Sequence, residues 1–188
     1  MHKQARLDFD RWFAESKVVN DAGSPLVVYH GTSKKFDAFD VAHSGKNFAP
    51  SRSGAFYFIN DKAYAAQYAD VVSKYKTSGK PRVIKAYLCL CNPKEMDAGD
   101  HDPNDFIDQH SALYYSARAA GHDGIIVSSS SGLKTLVAFR SDQIKRVTKM
   151  SKLYAMGIEE VQGSIGAAAT EARNFVTALS LKSVAPHA

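Results

Sequence analysis

The sequence predicts an α+β domain with a mostly antiparallel sheet. Three observations carry that expectation: several short β-branched or aromatic runs, single amphipathic helices between them, and no regular strand–helix–strand repeat. Leu7, Phe9, Trp12 and Phe13 recur at helical spacing and predict a helix over 4–16. Val18-Val19, a turn-rich stretch over 20–25 and the run Leu26 to Tyr29 read as a hairpin. Residues 31–53 are polar and hold glycine, proline and serine, a long loop with Phe36 and Phe39 as anchors. Phe56 to Ile59 is a short strand, and Asn60 or Asp61 caps a helix from Lys62 to about Tyr75. Val83 to Leu90 is a strand that Asn92-Pro93 ends. Asp102-Pro103-Asn104-Asp105 opens a helix carrying Phe106, Ile107, Leu113 and Tyr114. Gly121 to Gly124 turns into a strand at Ile125 to Val127, and four serines with Gly132 connect it to Leu136 to Phe139. A last strand takes in Ile144 and Val147. Beyond about Met150, Ile158, Val161, Ile165, Ala168, Ala172, Phe175 and Leu179 alternate spacings of three and four, the seam of a C-terminal amphipathic helix. The chain therefore divides into a domain over 1–149 and a helical extension over 150–188, which packs on the domain, binds a partner or self-associates.

Composition narrows the function classes. At 188 residues with 45% apolar side chains, the chain suits one compact domain with a real core. No apolar run approaches the ~20 residues of a membrane span, and Met1 to Arg6 is not an apolar signal sequence. A soluble protein with no membrane partner is expected. The net charge of +5 favours an acidic partner, although Lys34-Lys35, Lys74 with Lys76, and Lys145-Arg146 are pairs that each read as solvated surface. Cys89 and Cys91 lie two apart in a strand and share a face, which predicts buried structural thiols rather than a disulfide or a metal site. His2, His43, His101, His110, His122 and His187 show no zinc-ligand spacing, so no metal is expected. Gly99-Asp100-His101-Asp102 is not a calcium loop, the serine run is not a nucleophile elbow, and no phosphate-cradling glycine loop is present.

The chemistry is concentrated in three patches. Leu26-Val27-Val28-Tyr29-His30-Gly31-Thr32 is a strand that ends in a His-Gly-Thr corner. Gly54-Ala55-Phe56-Tyr57-Phe58 and Tyr64-Ala65-Ala66-Gln67-Tyr68-Ala69 follow. Taken singly, His30 is a half-buried strand-end histidine, Tyr57 and Tyr68 are core aromatics, and Thr32 makes a turn bond. Taken together and in this order, a strand-end histidine, a strand tyrosine and a helix tyrosine suit a flat ring bearing an amide, such as nicotinamide.

At these residues the chain resembles the ADP-ribosyltransferase superfamily in its His-Tyr branch, which includes diphtheria-type toxins and poly-ADP-ribose polymerases. The likeness is strongest to phage and mobile-element transferase domains of polyvalent proteins. It runs over residues 8–147, from Trp12-Phe13-Ala14-Glu15-Ser16-Lys17 through Pro25 to Thr32, Phe56-Tyr57-Phe58, Gln67-Tyr68-Ala69 and Gly121-His122-Asp123-Gly124 to Gln143-Ile144-Lys145. The resemblance implies a split antiparallel core with flanking helices, and NAD as the ADP-ribose donor. It implies that His30 bonds the adenosine-side ribose, that Gly31 and Thr32 hold the nicotinamide carboxamide, that Tyr57 lines the nicotinamide-side ribose and that Tyr68 stacks on nicotinamide. It places Phe58 among the cofactor-binding residues, and has Lys34, Lys35, Lys46 and Arg52 cover NAD and neutralise its pyrophosphate.

The chain departs from this pattern at one position. The resemblance leads to a glutamate eight residues before the closing glutamine; counting back from Gln143 reaches Thr135, and no acid occurs over 133–139. The implied catalytic set is therefore His30, Tyr57 and Thr135. Cleaving the nicotinamide–ribose bond builds positive charge on the sugar, as glycoside cleavage does. A threonine keeps a hydrogen bond there but adds no negative charge. The reading is a mono-ADP-ribosyltransferase acting on a macromolecule, a host protein ahead of nucleic acid, as a phage or bacterial toxin or effector. It is expected in a bacterial or phage-infected cytoplasm, with delivery into a target cell compatible. The alternative is a catalytically silent module that binds NAD or ADP-ribose, and a third reading is NAD hydrolysis.

Overall fold

In the computed structural model, residues 2–44, 54–75, 79–110 and 112–147 are described. The expected extension over 150–188, and with it the boundary at 149, lies outside them. Among the described residues four α-helices and seven strands follow in order: α1 (His2–Phe13), β1 (Val28–Thr32), β2 (Phe56–Ile59), α2 (Lys62–Tyr75), β3 (Arg82–Leu88), β4 (Pro93–Asp97), α3 (Pro103–Gln109), α4 (Leu113–Ala119), β5 (Gly124–Ser128), β6 (Lys134–Ala138) and β7 (Ile144–Arg146). The strands form one sheet in the order β4-β5-β6-β2-β1-β3-β7. Every pairing is antiparallel except β4 with β5. The fold is α+β with a mostly antiparallel core, as the sequence predicts.

Alternation along the strands builds cores on both faces of the sheet. Ile126, Leu136 and Ala138 turn to one face, where they pack with Val28, Phe56 and Phe58. Ile125, Val127 and Val137 turn to the other, where Ile107 of α3 and Leu113 and Tyr114 of α4 cover them. Trp12 indole N–H donates to the Asp142 carbonyl at 3.0 Å and so ties α1 to the end of the chain's sheet.

The helix that borders the site is set by local sequence. Asp61 Oδ1 accepts from the Tyr64 backbone N–H at 2.7 Å and caps α2. Ala65, Ala69 and Val72, at spacings of four and three, form its buried face. That face is of small residues because the helix lies almost against β1: a Cβ on Gly31 would stand 2.2 Å from the Ala65 carbonyl oxygen and 3.1 Å from the Ala69 nitrogen. Backbone cannot yield as a side chain does. Gly31→Ala is expected to lower stability by about 1–3 kcal/mol, read as a lower urea midpoint with unchanged slope. An unchanged midpoint would contradict this packing.

Several local expectations change. The hairpin at 18–29 is reduced to one bridge, Val19 with Pro25, because β1 pairs with β2 and β3 instead. The single helix after Asp102 is two short ones, α3 and α4. Asn92-Pro93 does end β3's run, yet Pro93 also begins β4, an edge strand whose first residue needs no ladder donor. Cys89 is half-buried and Cys91 exposed, not both buried. Their sulfurs are 3.6 Å apart, and the Cys89 thiol donates to the Trp12 carbonyl at 3.0 Å. Burial first, then the Cys91 thiol beside it, pushes the Cys89 thiol up to about 12, so it stays unreactive.

Candidate functional site

The sheet opens at one seam. β1 and β2 meet at the single register pair Tyr29 with Ile59. Beyond it the strands part, and the His30 imidazole bridges the gap: its Nδ1 lies 2.8 Å from the Tyr57 carbonyl oxygen. A carbonyl only accepts, so Nδ1 carries the proton and Nε2 keeps its lone pair. Phe36, Phe39 and Phe58 surround the ring at centroid distances of 6.3, 5.3 and 5.5 Å. This apolar collar pushes the imidazole below its ordinary value of 6.5, desolvation outweighing the opposing effect of the Tyr57 bond. His30 is therefore neutral at physiological pH.

That shift has a consequence for stability. Folded His30 binds its proton more weakly than unfolded His30, so its contribution is complete above the unfolded value and is lost as pH falls below it. Wild type is expected to lose more of its urea midpoint between pH 7 and pH 5 than His30→Gln. Equal losses would remove His30 as the source.

Around the seam lies a cavity of about 370 Å³, in the usual size range for a small-molecule pocket. It gathers His30, Gly31, Thr32, Tyr57, Phe58, Tyr68 and Thr135, which the sequence places far apart. Strand alternation sets His30 with Phe58 toward one side and Tyr57 with Thr135 toward the other, so the cavity spans the seam. Phe58 lines it while sitting 2% exposed in the aromatic cluster. Thr135 pairs with Ile59 of β2 and Val127 of β5. It is 2% exposed, and among the described residues its Oγ1 has no hydrogen-bond partner. Lys34 and Lys35 are exposed where they line the cavity. Arg52 and Lys46 lie outside the described residues.

Between β1 and β2, Ser44 and Ala55 lie side by side. The Ser44 hydroxyl donates to the Ala55 carbonyl and accepts from the Ala55 N–H. Next to it the Tyr114 hydroxyl donates to the Gly54 carbonyl at 3.0 Å and accepts from Arg118 at 2.5 Å.

Tyr64 and Asn104 are among the lining residues that the sequence reading did not assign to the site. Tyr64 had a usable signal, since it stands one helical turn before Tyr68 on the same face. Asn104 had none beyond its place after a helix cap. The Tyr64 hydroxyl is pushed up to about 12 by burial first and then by its bond to, and the charge of, Asp102. No group of three or more His, Cys, Asp or Glu side chains among the described residues is placed to hold a metal. No described helix is long and apolar enough to cross a membrane.

No curated protein sequence matches the chain. A solved structure that is similar is a chain of the M. tuberculosis MbcT–MbcA toxin–antitoxin complex, with TM-score 0.40 and 15% identity over 66% of this chain and 82% of that one. The family described as ADP-ribosyltransferase in polyvalent proteins matches over residues 20–152, well over half of the chain and all of the cavity. The chain belongs to that family, whose members use NAD as the donor in group transfer.

Proposed function

We propose that this protein is a mono-ADP-ribosyltransferase that cleaves NAD at the nicotinamide–ribose bond and transfers ADP-ribose to a macromolecule. The observation that carries the reading is the single cavity that gathers His30, Gly31, Thr32, Tyr57, Tyr68 and Thr135 at the β1–β2 seam. With Nδ1 committed to the Tyr57 carbonyl, His30 presents Nε2 as an acceptor for a ribose hydroxyl. Gly31 offers backbone polar groups, and Thr32 its hydroxyl, to the carboxamide. Tyr68 stacks on the nicotinamide ring, and Phe58 supports the aromatic wall. Tyr57 lines the ribose whose C1′ reacts. Lys34 and Lys35 face the pyrophosphate; the resemblance adds Arg52, which lies outside the described residues.

The electron pair of the C1′–N bond leaves with nicotinamide, which departs neutral and needs little acid help. The protein's task is to orient NAD and to tolerate positive charge on the sugar. Thr135 offers a free hydroxyl oxygen to that ribose but no charge. Slow single transfer follows, rather than polymer synthesis. A host protein in a bacterial or phage-infected cytoplasm is the proposed acceptor, which makes the chain a toxin or effector. The +5 charge keeps nucleic acid as the second acceptor class.

A second reading, a silent module that binds NAD or ADP-ribose, is favoured by the same Thr135. One experiment separates them. Purified protein is incubated with labelled NAD and lysate, and protein and nucleic-acid fractions are read separately, with His30→Ala as control. Label in one fraction, lost in the control, supports the transferase. NAD binding with neither label nor nicotinamide release supports the silent module. Free ADP-ribose without labelled macromolecule means water is the acceptor.

A further inference from the structure

In the reaction above, the proton of the acceptor has no taker among the residues assigned so far. Thr135 is not a base, and His30 gives its free nitrogen to a ribose hydroxyl. The cavity is lined by a second histidine, His43, with Asp40 beside it. Both sit in the segment after β1, which is fixed along its length. The Arg146 guanidinium of β7 donates to the Phe36 carbonyl at 2.7 Å and to the Asp37 carbonyl at 3.4 Å. Phe39 is buried in the collar around His30. Asp40 Oδ1 accepts from the Ala42 N–H at 2.9 Å and caps a 3₁₀ turn over Val41–His43. The Ser44 hydroxyl then fastens the segment to Ala55. With its backbone held on both sides, His43 is aimed by the other oxygen of the same carboxylate: Asp40 Oδ2 lies 3.0 Å from His43 Nδ1. A carboxylate only accepts, so Nδ1 carries a proton and Nε2 is the nitrogen that can take one. An imidazole oriented by a carboxylate in this way is equipped to act as a general base. The pair is wet where His30 is dry, the His43 and Asp40 side chains being 72% and 57% exposed. They therefore stand at the cavity mouth, the side from which a macromolecule can approach.

We propose that His43 Nε2 takes the proton of the acceptor nucleophile and that this nucleophile is a hydroxyl. His43 is the catalytic residue of the acceptor side, and Asp40 is a positioning residue that acts through it. The inference rests on the transferase reading and assigns its acceptor class. In the step, the C1′–N bond breaks with its electron pair leaving on neutral nicotinamide. A lone pair of the hydroxyl oxygen forms the C1′–O bond. The O–H bond breaks, its electron pair stays on the oxygen and its proton goes to Nε2. His43 then passes the proton to solvent water. A hydroxyl gains from a base here because its oxygen turns strongly acidic as the bond to C1′ forms. A carboxylate acceptor has no proton to give and would leave the pair idle.

The test reads two outputs of one reaction, nicotinamide release and label transfer to the lysate fraction that wild type labels. His43→Ala is expected to lower the ratio of transfer to release by roughly 10²-fold or more, because abundant water still consumes the sugar cation. Free imidazole added to His43→Ala is expected to restore transfer several-fold; a side chain that only shaped the segment would not be replaced by a free ring. Asp40→Asn keeps the cap on Ala42 but loses the carboxylate, and is expected to lower the ratio by about tenfold or more. The label is expected to survive neutral hydroxylamine, which cleaves carboxylate esters. Circular dichroism establishes that each variant is folded; should His43→Ala not fold, Asp40→Asn carries the test. An unchanged ratio, a loss that imidazole does not restore, or label that hydroxylamine removes overturns the assignment of His43 and leaves the transferase reading intact. A wild type that releases no nicotinamide overturns both.

Discussion

Thr135→Glu is expected to raise the rate of nicotinamide release from NAD by roughly 10²–10³. Thr135 lines the cavity, has a buried Oγ1 without a partner among the described residues, and stands where the resemblance leads to a carboxylate. The transition state carries positive charge on the ribose, and a fixed negative charge nearby favours it over ground-state NAD, where that charge is absent. Thr135→Gln is the control. It matches the glutamate in size and hydrogen bonding but lacks charge, and is expected to change the rate by less than about tenfold. Single-turnover release measured on folded variants decides between them. A glutamate variant no faster than the glutamine variant would mean that position 135 does not face the reacting ribose.

Tyr68→Ala is expected to weaken NAD binding by about 10–100-fold, the range found when an aromatic stacked on a base is truncated. Tyr68 lies on the α2 face that meets Gly31, its Cδ1 placed 3.1 Å from where a Cβ on that glycine would stand. The ring and the Gly31 backbone thus form one narrow wall of the cavity. Tyr68→Phe keeps the stack and is expected to retain affinity within a few-fold. Calorimetric titration with NAD reads both. Near-wild-type affinity in Tyr68→Ala would place nicotinamide elsewhere in the cavity and remove the basis for the roles of Gly31 and Thr32.

The parts of this fold that were legible in the sequence are those whose cause is local. α2 runs over Lys62–Tyr75 as its pattern predicts, because the Asp61 cap and the spacing of Ala65, Ala69 and Val72 both lie within it. β2 runs over Phe56–Ile59 for a similar reason, a short aromatic and β-branched run beside a turn. β4 was not legible. Pro93-Lys94-Glu95-Met96-Asp97 has no strand pattern, and it is extended because β5 presents an edge with parallel register to it. The exposure of Cys91 was hidden likewise. β3 stops at Leu88, and the backbone N–H groups of Cys91 and Asn92 then turn to the Asp123 carboxylate.

The candidate site divides in the same way. The sequence by itself determined the α+β class and the family, and it named His30, Gly31, Thr32, Tyr57 and Tyr68 as candidates by short motifs and Thr135 by its spacing from Gln143. Only the tertiary structure decided that His30 is neutral and which of its nitrogens is free, because the Tyr57 carbonyl and three phenyl rings come from other segments. It also showed why Gly31 is a glycine: the helix backbone leaves no room for a Cβ. Motifs name the groups a site contains, but protonation, hydrogen-bond direction and clearance depend on what packs against them, and that is set by contacts between segments distant in the chain.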